Sequence, residues 1–74
     1  MNAANTKPQL QQKILYRVTE AMALLSLSRS VIYEEIRSGR LRSVTRGRTR
    51  LVPATALTEY AQLLEREADN EGVA

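Results

Sequence analysis

A mainly α domain carrying a small β-hairpin is the fold class that this chain predicts, and residues 27–52 carry most of the prediction. A helical pattern opens at Ser28 and stops at Gly39, a residue suited to the left-handed position just past a helix end. Two short runs rich in branched residues and threonine, 41–45 and 48–52, flank Arg46-Gly47, the natural site of a tight turn. Pro53 then fits the first turn of a further helix, where a missing N–H costs nothing. Two short helices, a hairpin wing and a C-terminal helix make a winged helix-turn-helix.

Each element has a local reason. Residues 1–13 hold Asn2, Asn5, Thr6, Pro8 and three glutamines with no apolar period, so a disordered N-terminal tail is expected there. The domain, taken as 14–67, opens on Ile14-Leu15-Tyr16, a short apolar run suited to a strand or to a lid over the core. Thr19 is the expected N-cap of the first helix, with Glu20 favourably placed in its first turn. Ala21, Leu24 and Leu25 recur at helical spacing over 20–25, and Ser26-Leu27 is the turn. Ser28 caps the second helix, in which Val31, Ile32 and Ile36 form the inward stripe. In the third helix Leu57, Tyr60, Ala61 and Leu64 fall at i, i+3, i+4 and i+7 and are expected in the core. That helix is expected to fray after Glu67, leaving 68–74 as a disordered acidic tail.

Composition narrows function. Seventy-four residues allow one small domain with a marginal core. The chain has neither cysteine nor histidine, which removes disulfides, thiolate and imidazole metal ligands, and the common nucleophile–base pairs. No catalytic, metal or cofactor site is expected, and an enzyme is the reading that fits worst. No apolar run approaches the roughly 18 residues of a membrane span. A soluble, cytoplasmic protein follows as an expectation.

Charge is unevenly distributed. The formal net charge is +3, but residues 29–50 hold seven arginines against Glu34 and Glu35, while residues 51–74 hold five acids against Arg66. Clustered arginines next to a helix that fits a groove point to double-stranded DNA as the partner.

The same residues carry a family resemblance. Val18-Thr19-Glu20-Ala21, Leu24-Leu25, Leu27-Ser28-Arg29-Ser30-Val31-Ile32-Tyr33 and Ile36-Arg37-Ser38-Gly39-Arg40-Leu41, continued by Val44, Arg46-Gly47-Arg48, Pro53 and Leu57, resemble the excisionase-type, MerR-like winged helix-turn-helix of phage and integrative-element excisionases. The resemblance covers Tyr16 to Leu64, about two thirds of the chain, and is specific as a set. Met22 stands where the family has alanine, Ser26 where it often has glycine, and Glu34 and Glu35 where basic or neutral residues are common. The resemblance implies that the second helix enters the major groove and the wing lies along the backbone or minor groove.

On that docking mode Ser28, Arg29, Ser30, Tyr33 and Arg37 are the reading-helix candidates. Arg29 and Ser30 meet base edges, although Ser30 equally suits a solvated helix start. Tyr33 either touches a thymine methyl, sugar or phosphate, or closes the small core. Arg37 grips phosphate or pairs with Glu34. Glu34 accepts from a cytosine amine or is simply solvated, and Glu35 is expected at the surface. Arg40, Arg42, Arg46, Gly47, Arg48 and Arg50 form the wing and its flank, with Arg46, Arg48 and Arg50 expected on one face and Leu51 towards the core. Glu59, Glu65, Glu67 and Asp69 are candidates for touching a protein partner.

The resemblance implies a recombination directionality factor that binds repeats beside an attachment site, bends DNA and biases an integrase towards excision. A monomer in solution that assembles cooperatively on DNA is the expected state. The alternative is a small MerR-like transcription regulator, weakened by the absence of an effector domain after the third helix. An adaptor acting through its acidic helix is a third reading, and it leaves the arginine-rich wing without a purpose.

Overall fold

Helices and strands interleave in the order β1 (Leu15–Arg17), α1 (Val18–Leu25), α2 (Arg29–Ser38), β2 (Val44–Arg46), β3 (Thr49–Pro53) and α3 (Ala54–Val73) in a computed structural model that describes residues 13–73. This is a winged helix-turn-helix, and the hairpin is part of a three-stranded antiparallel sheet of order β1-β3-β2. Leu15 and Tyr16 of the expected apolar run, with Arg17, therefore form a strand: Tyr16 pairs with Val52, Leu15 with Pro53 and Arg17 with Leu51. Directly paired residues share a face of the sheet, so Tyr16 and Val52, both buried, mark the core side. Leu51 is turned to the other side with Arg17, which corrects its expected place. Pairing with β1 also draws Pro53 into β3, and α3 begins one residue later with Ala54 N–H donating to the Ile14 carbonyl at 2.8 Å.

The first helix starts earlier than Thr19 suggests. Arg17 is its N-cap, and Glu20 reaches back so that its Oε1 accepts the Arg17 N–H at 2.8 Å, leaving Thr19 inside the helix. Lys13, at the end of the expected tail, pairs with Glu20. The remainder of that tail, residues 1–12, lies outside the described residues.

At the turn between α1 and α2, Ser26 adopts φ 60° and ψ 42°, and the N–H groups of Ser26 and Leu27 both donate to the Met22 carbonyl. A left-handed conformation strains any residue with a Cβ. Ser26→Gly is expected to stabilise the domain by up to about 1 kcal/mol, the relief being partly offset by the freer unfolded chain. Urea titration checks the sign, and a loss of stability would show that the serine side chain has a role the backbone angle hides.

Val18, Ala21, Ile32, Leu41, Val52, Ala56 and Tyr60, all buried, pack into one core cluster, with Met22, Leu25, Leu27, Tyr33, Ile36 and Leu57 packed around them. Ala61 and Leu64, expected in the core, are exposed, Leu64 at 38%, and Leu24 of α1 is 56% exposed. The stripe of α3 that faces inward is rotated by about one residue from the expected one, because Ala56 and Tyr60 lead it. Leu41 is no strand residue. It follows Gly39, donates its N–H to the Glu35 carbonyl at 3.0 Å, and is fully buried under the end of α2.

The last helix continues to Val73 rather than fraying at Glu67, so it absorbs nearly all of the stretch expected to be an acidic tail. Glu67 is tied to Arg40, and no proline interrupts the chain beyond it. No helix among the described residues is long and apolar enough to cross a membrane.

Candidate nucleic-acid interface

The second helix is set up by its two ends. Ser28 Oγ accepts the Val31 N–H at 3.3 Å, and Gly39, at φ 89°, closes the far end with its N–H on the Ile36 carbonyl. Ile32 is fully buried, so its side of the helix faces the core. The opposite side follows from 3.6 residues per turn: Ser30, Glu34 and Arg37, at i, i+4 and i+7, are all exposed there. Arg29 is exposed at the helix start. Ser28 is occupied as the cap, and its Oγ lies 3.3 Å from the Ser30 Oγ. Tyr33 is half-buried and packs against the core.

The wing turns on two residues. Arg46 pairs with Thr49, leaving Gly47 and Arg48 as the loop, with Gly47 at φ 61°. A glycine at the first of two loop positions suits a hairpin whose twist matches its strands. No heavy atom lies within 4 Å of where a Gly47 Cβ would stand, so it is the backbone angle that calls for glycine at this tip.

The register corrects the expectation that Arg46, Arg48 and Arg50 share a face. Thr45 is opposite Arg50, so Arg50 is on the side of Val52, while Arg46 is on the other side with Thr49. Alternation along a strand reverses side chains at each residue, and Arg46 and Arg50 fall out of phase across the turn. Arg50 donates to Ser43 Oγ at 2.9 Å.

The arginines divide into two groups. Arg40 is held by two carboxylates, with Nε 2.6 Å from Glu35 and both terminal nitrogens on Glu67 at 2.5 and 2.9 Å. Tyr60, from the core, donates its hydroxyl to the same Glu35 oxygen at 2.9 Å. Glu35, expected at the surface, is instead a half-buried junction between α2, the loop after it and α3. The Arg40 hydrogen bond holds the Glu35 carboxyl below its usual range, assisted by Tyr60 and opposed by burial. The Glu67 carboxyl is lowered and the Arg40 guanidinium raised by the same contacts. Burial, then the Glu35 bond, push the Tyr60 hydroxyl up.

Arg42 is similarly engaged with Glu59, through Nε at 2.9 Å and Nη2 at 3.1 Å, and reaches Thr55 Oγ1 at 3.2 Å. Arg40 and Arg42 both lie in the stretch before the wing, and both are clamped to α3.

Arg29, Arg37, Arg46 and Arg48 are different. Among the described residues they are exposed and have no hydrogen bond or ion pair from their side chains. Two acids of α3, Glu67 and Glu59, are engaged by Arg40 and Arg42 rather than by these four arginines, so the positive charge of the reading helix and the wing tip stays uncompensated. Clustered cations without counterions are stabilised by a phosphate backbone.

The candidate partner acids divide in the same way. Glu59 and Glu67 are occupied by Arg42 and Arg40. Glu65 and Asp69 are exposed and unpaired among the described residues, with Glu65 on a shallow groove lined by Leu24, Leu25, Leu57 and Ala61. Sequence reasoning missed the Glu35–Arg40–Tyr60 junction, because its partners lie 5 and 25 positions apart and share no motif.

Comparisons with known proteins agree with this geometry. Residues 15–62 match the model of a helix-turn-helix domain family. A protein of Saccharopolyspora erythraea, described as a probable excisionase, is 39% identical over 56 residues, which cover 76% of this chain and 57% of the relative. The chain thus spans little more than half the length of that relative. No solved structure matches. With the matched span running from β1 through the reading helix and wing into α3, the chain belongs to the helix-turn-helix domain family.

Proposed function

We propose that this chain is a recombination directionality factor: it binds short repeats beside an attachment site, bends the DNA and biases an integrase towards excision. The similarity to a probable excisionase carries the reading. The uncompensated arginines of α2 and the wing support it, since they offer a cationic surface on the two elements that this fold brings to DNA. Arg29 and Ser30 read base edges from the first turn of α2, Arg37 grips phosphate, and Arg46 and Arg48 carry the wing onto the backbone or minor groove. Arg40 and Arg42 brace the wing and α2 against α3.

A single module of this size buries roughly 600–1,000 Å² on DNA, so several side-by-side copies of a protein that is monomeric in solution supply the affinity. Bending a site of this length costs on the order of 1–6 kcal/mol, offset by the integrase contacts that the bent path permits. Glu65 and Asp69, two of the acids left unpaired on α3 among the described residues, are the side available to a basic integrase.

The test is a recombination assay with a cognate integrase and its attachment-site DNA. Added protein is expected to promote excision and suppress integration, with no strand cleavage of its own. An integration-to-excision ratio that does not move, together with repression of a promoter reporter, would assign the chain to transcription regulation instead.

A further inference from the structure

The acid at the centre of the reading face is unexplained by phosphate binding. Glu34 is exposed on the side of α2 opposite Ile32, one turn after Ser30 and one turn before Arg37. Arg37 stands at i+3, within reach of an intrahelical pair, yet Glu34 has no hydrogen bond or ion pair among the described residues. The other acids ahead of α3, Glu20 and Glu35, are both paired. Glu34 is thus an uncompensated anion in the middle of the surface that presents Arg29, Arg37 and the wing tip to a polyanion.

Such a group is repelled by every phosphate, and an ionised carboxylate can only accept hydrogen bonds. In the major groove the donors are the exocyclic amines, N4 of cytosine and N6 of adenine; guanine and thymine offer only acceptors or a methyl group. Repulsion from the backbone on either side and attraction to an amine at the groove floor act together. The first weakens binding to all DNA, and the second restores it only where an amine is in reach.

We propose that Glu34 is a specificity-determining residue, a carboxylate that reads the exocyclic amine of cytosine or adenine on one strand in the major groove and penalises sites that present that amine on the other strand, out of its reach. The inference rests on the reading of α2 as the recognition helix, and its test separates the two.

The full chain and Glu34→Ala are each used to select from a random-sequence duplex library, and selected sites are then titrated against single-base variants. Alanine at an exposed helical position preserves the fold, which circular dichroism confirms before binding is measured. The wild-type chain is expected to select a motif in which one strand carries cytosine or adenine at one position, preferred over guanine or thymine there by at least about fivefold. Glu34→Ala is expected to lose that preference alone, keep the rest of the motif, and bind random duplex more tightly than the wild type. A variant that selects the same motif, with all affinities raised alike, would reduce Glu34 to a repulsive charge and overturn the proposal while leaving the reading helix intact. A wild-type chain that enriches no motif would overturn sequence reading by α2 itself, and Glu34 with it.

Discussion

Leu41→Ala is expected to bring this domain close to unfolding at ambient temperature. The Leu41 side chain has no accessible surface, and it joins the end of α2 and the sheet in one core cluster. Truncating a buried leucine costs about 2–5 kcal/mol, from lost transfer free energy and from the cavity left behind. A chain of 74 residues has a total stability of only about 4–11 kcal/mol at the usual 0.05–0.15 kcal/mol per residue. Its backbone N–H on the Glu35 carbonyl pins the residue in place, so collapse onto the cavity is restricted. Urea titration followed by circular dichroism measures the loss, and DNA affinity should fall with the folded fraction. A change below about 1 kcal/mol would show that the loop after α2 repacks freely.

Replacing Arg46 and Arg48 together with alanine is expected to weaken binding to every duplex alike. Both are exposed and unpaired among the described residues, so the change removes no bond described there and stability should stay within about 0.5 kcal/mol of the wild type. Every phosphate that an arginine no longer neutralises reduces the salt dependence of log K by about one unit, so the double variant should show a slope shallower by roughly two. The effect is then greatest at low salt and shrinks as salt rises. An unchanged slope would remove the wing tip from the interface. Arg40 and Arg42 serve as the contrasting pair: anchored on Glu67, Glu35 and Glu59, they should affect stability and the posture of the wing more than the slope.

The helix-turn-helix was legible because its signals are local. Ser28 and Gly39 bound α2 through contacts within four residues, and Gly47 sits in the hairpin turn because a positive φ is demanded there by two flanking strands. The same locality explains the misses at element ends. Thr19 has the chemistry of a cap, but the pairing of β1 with β3 delivers Arg17 to that position first. Pro53 suits a helix start by propensity, yet the partner strand claims it for the sheet.

The sequence by itself determined the class of this protein: helices, turn and wing in order, a basic middle, an acidic end, and DNA as the partner class. Only the tertiary structure decided which arginines are available to that partner. Seven look equivalent along residues 29–50, but Arg40 and Arg42 are neutralised by acids 27 and 17 positions away, and Arg50 is turned to the opposite face of the hairpin from Arg46. Caps, turns and periodicity act over a few residues and can be read in one dimension. Ion pairing and strand register depend on which distant surfaces meet when the core closes, and a Coulomb contact carries no trace in the spacing of the residues that make it.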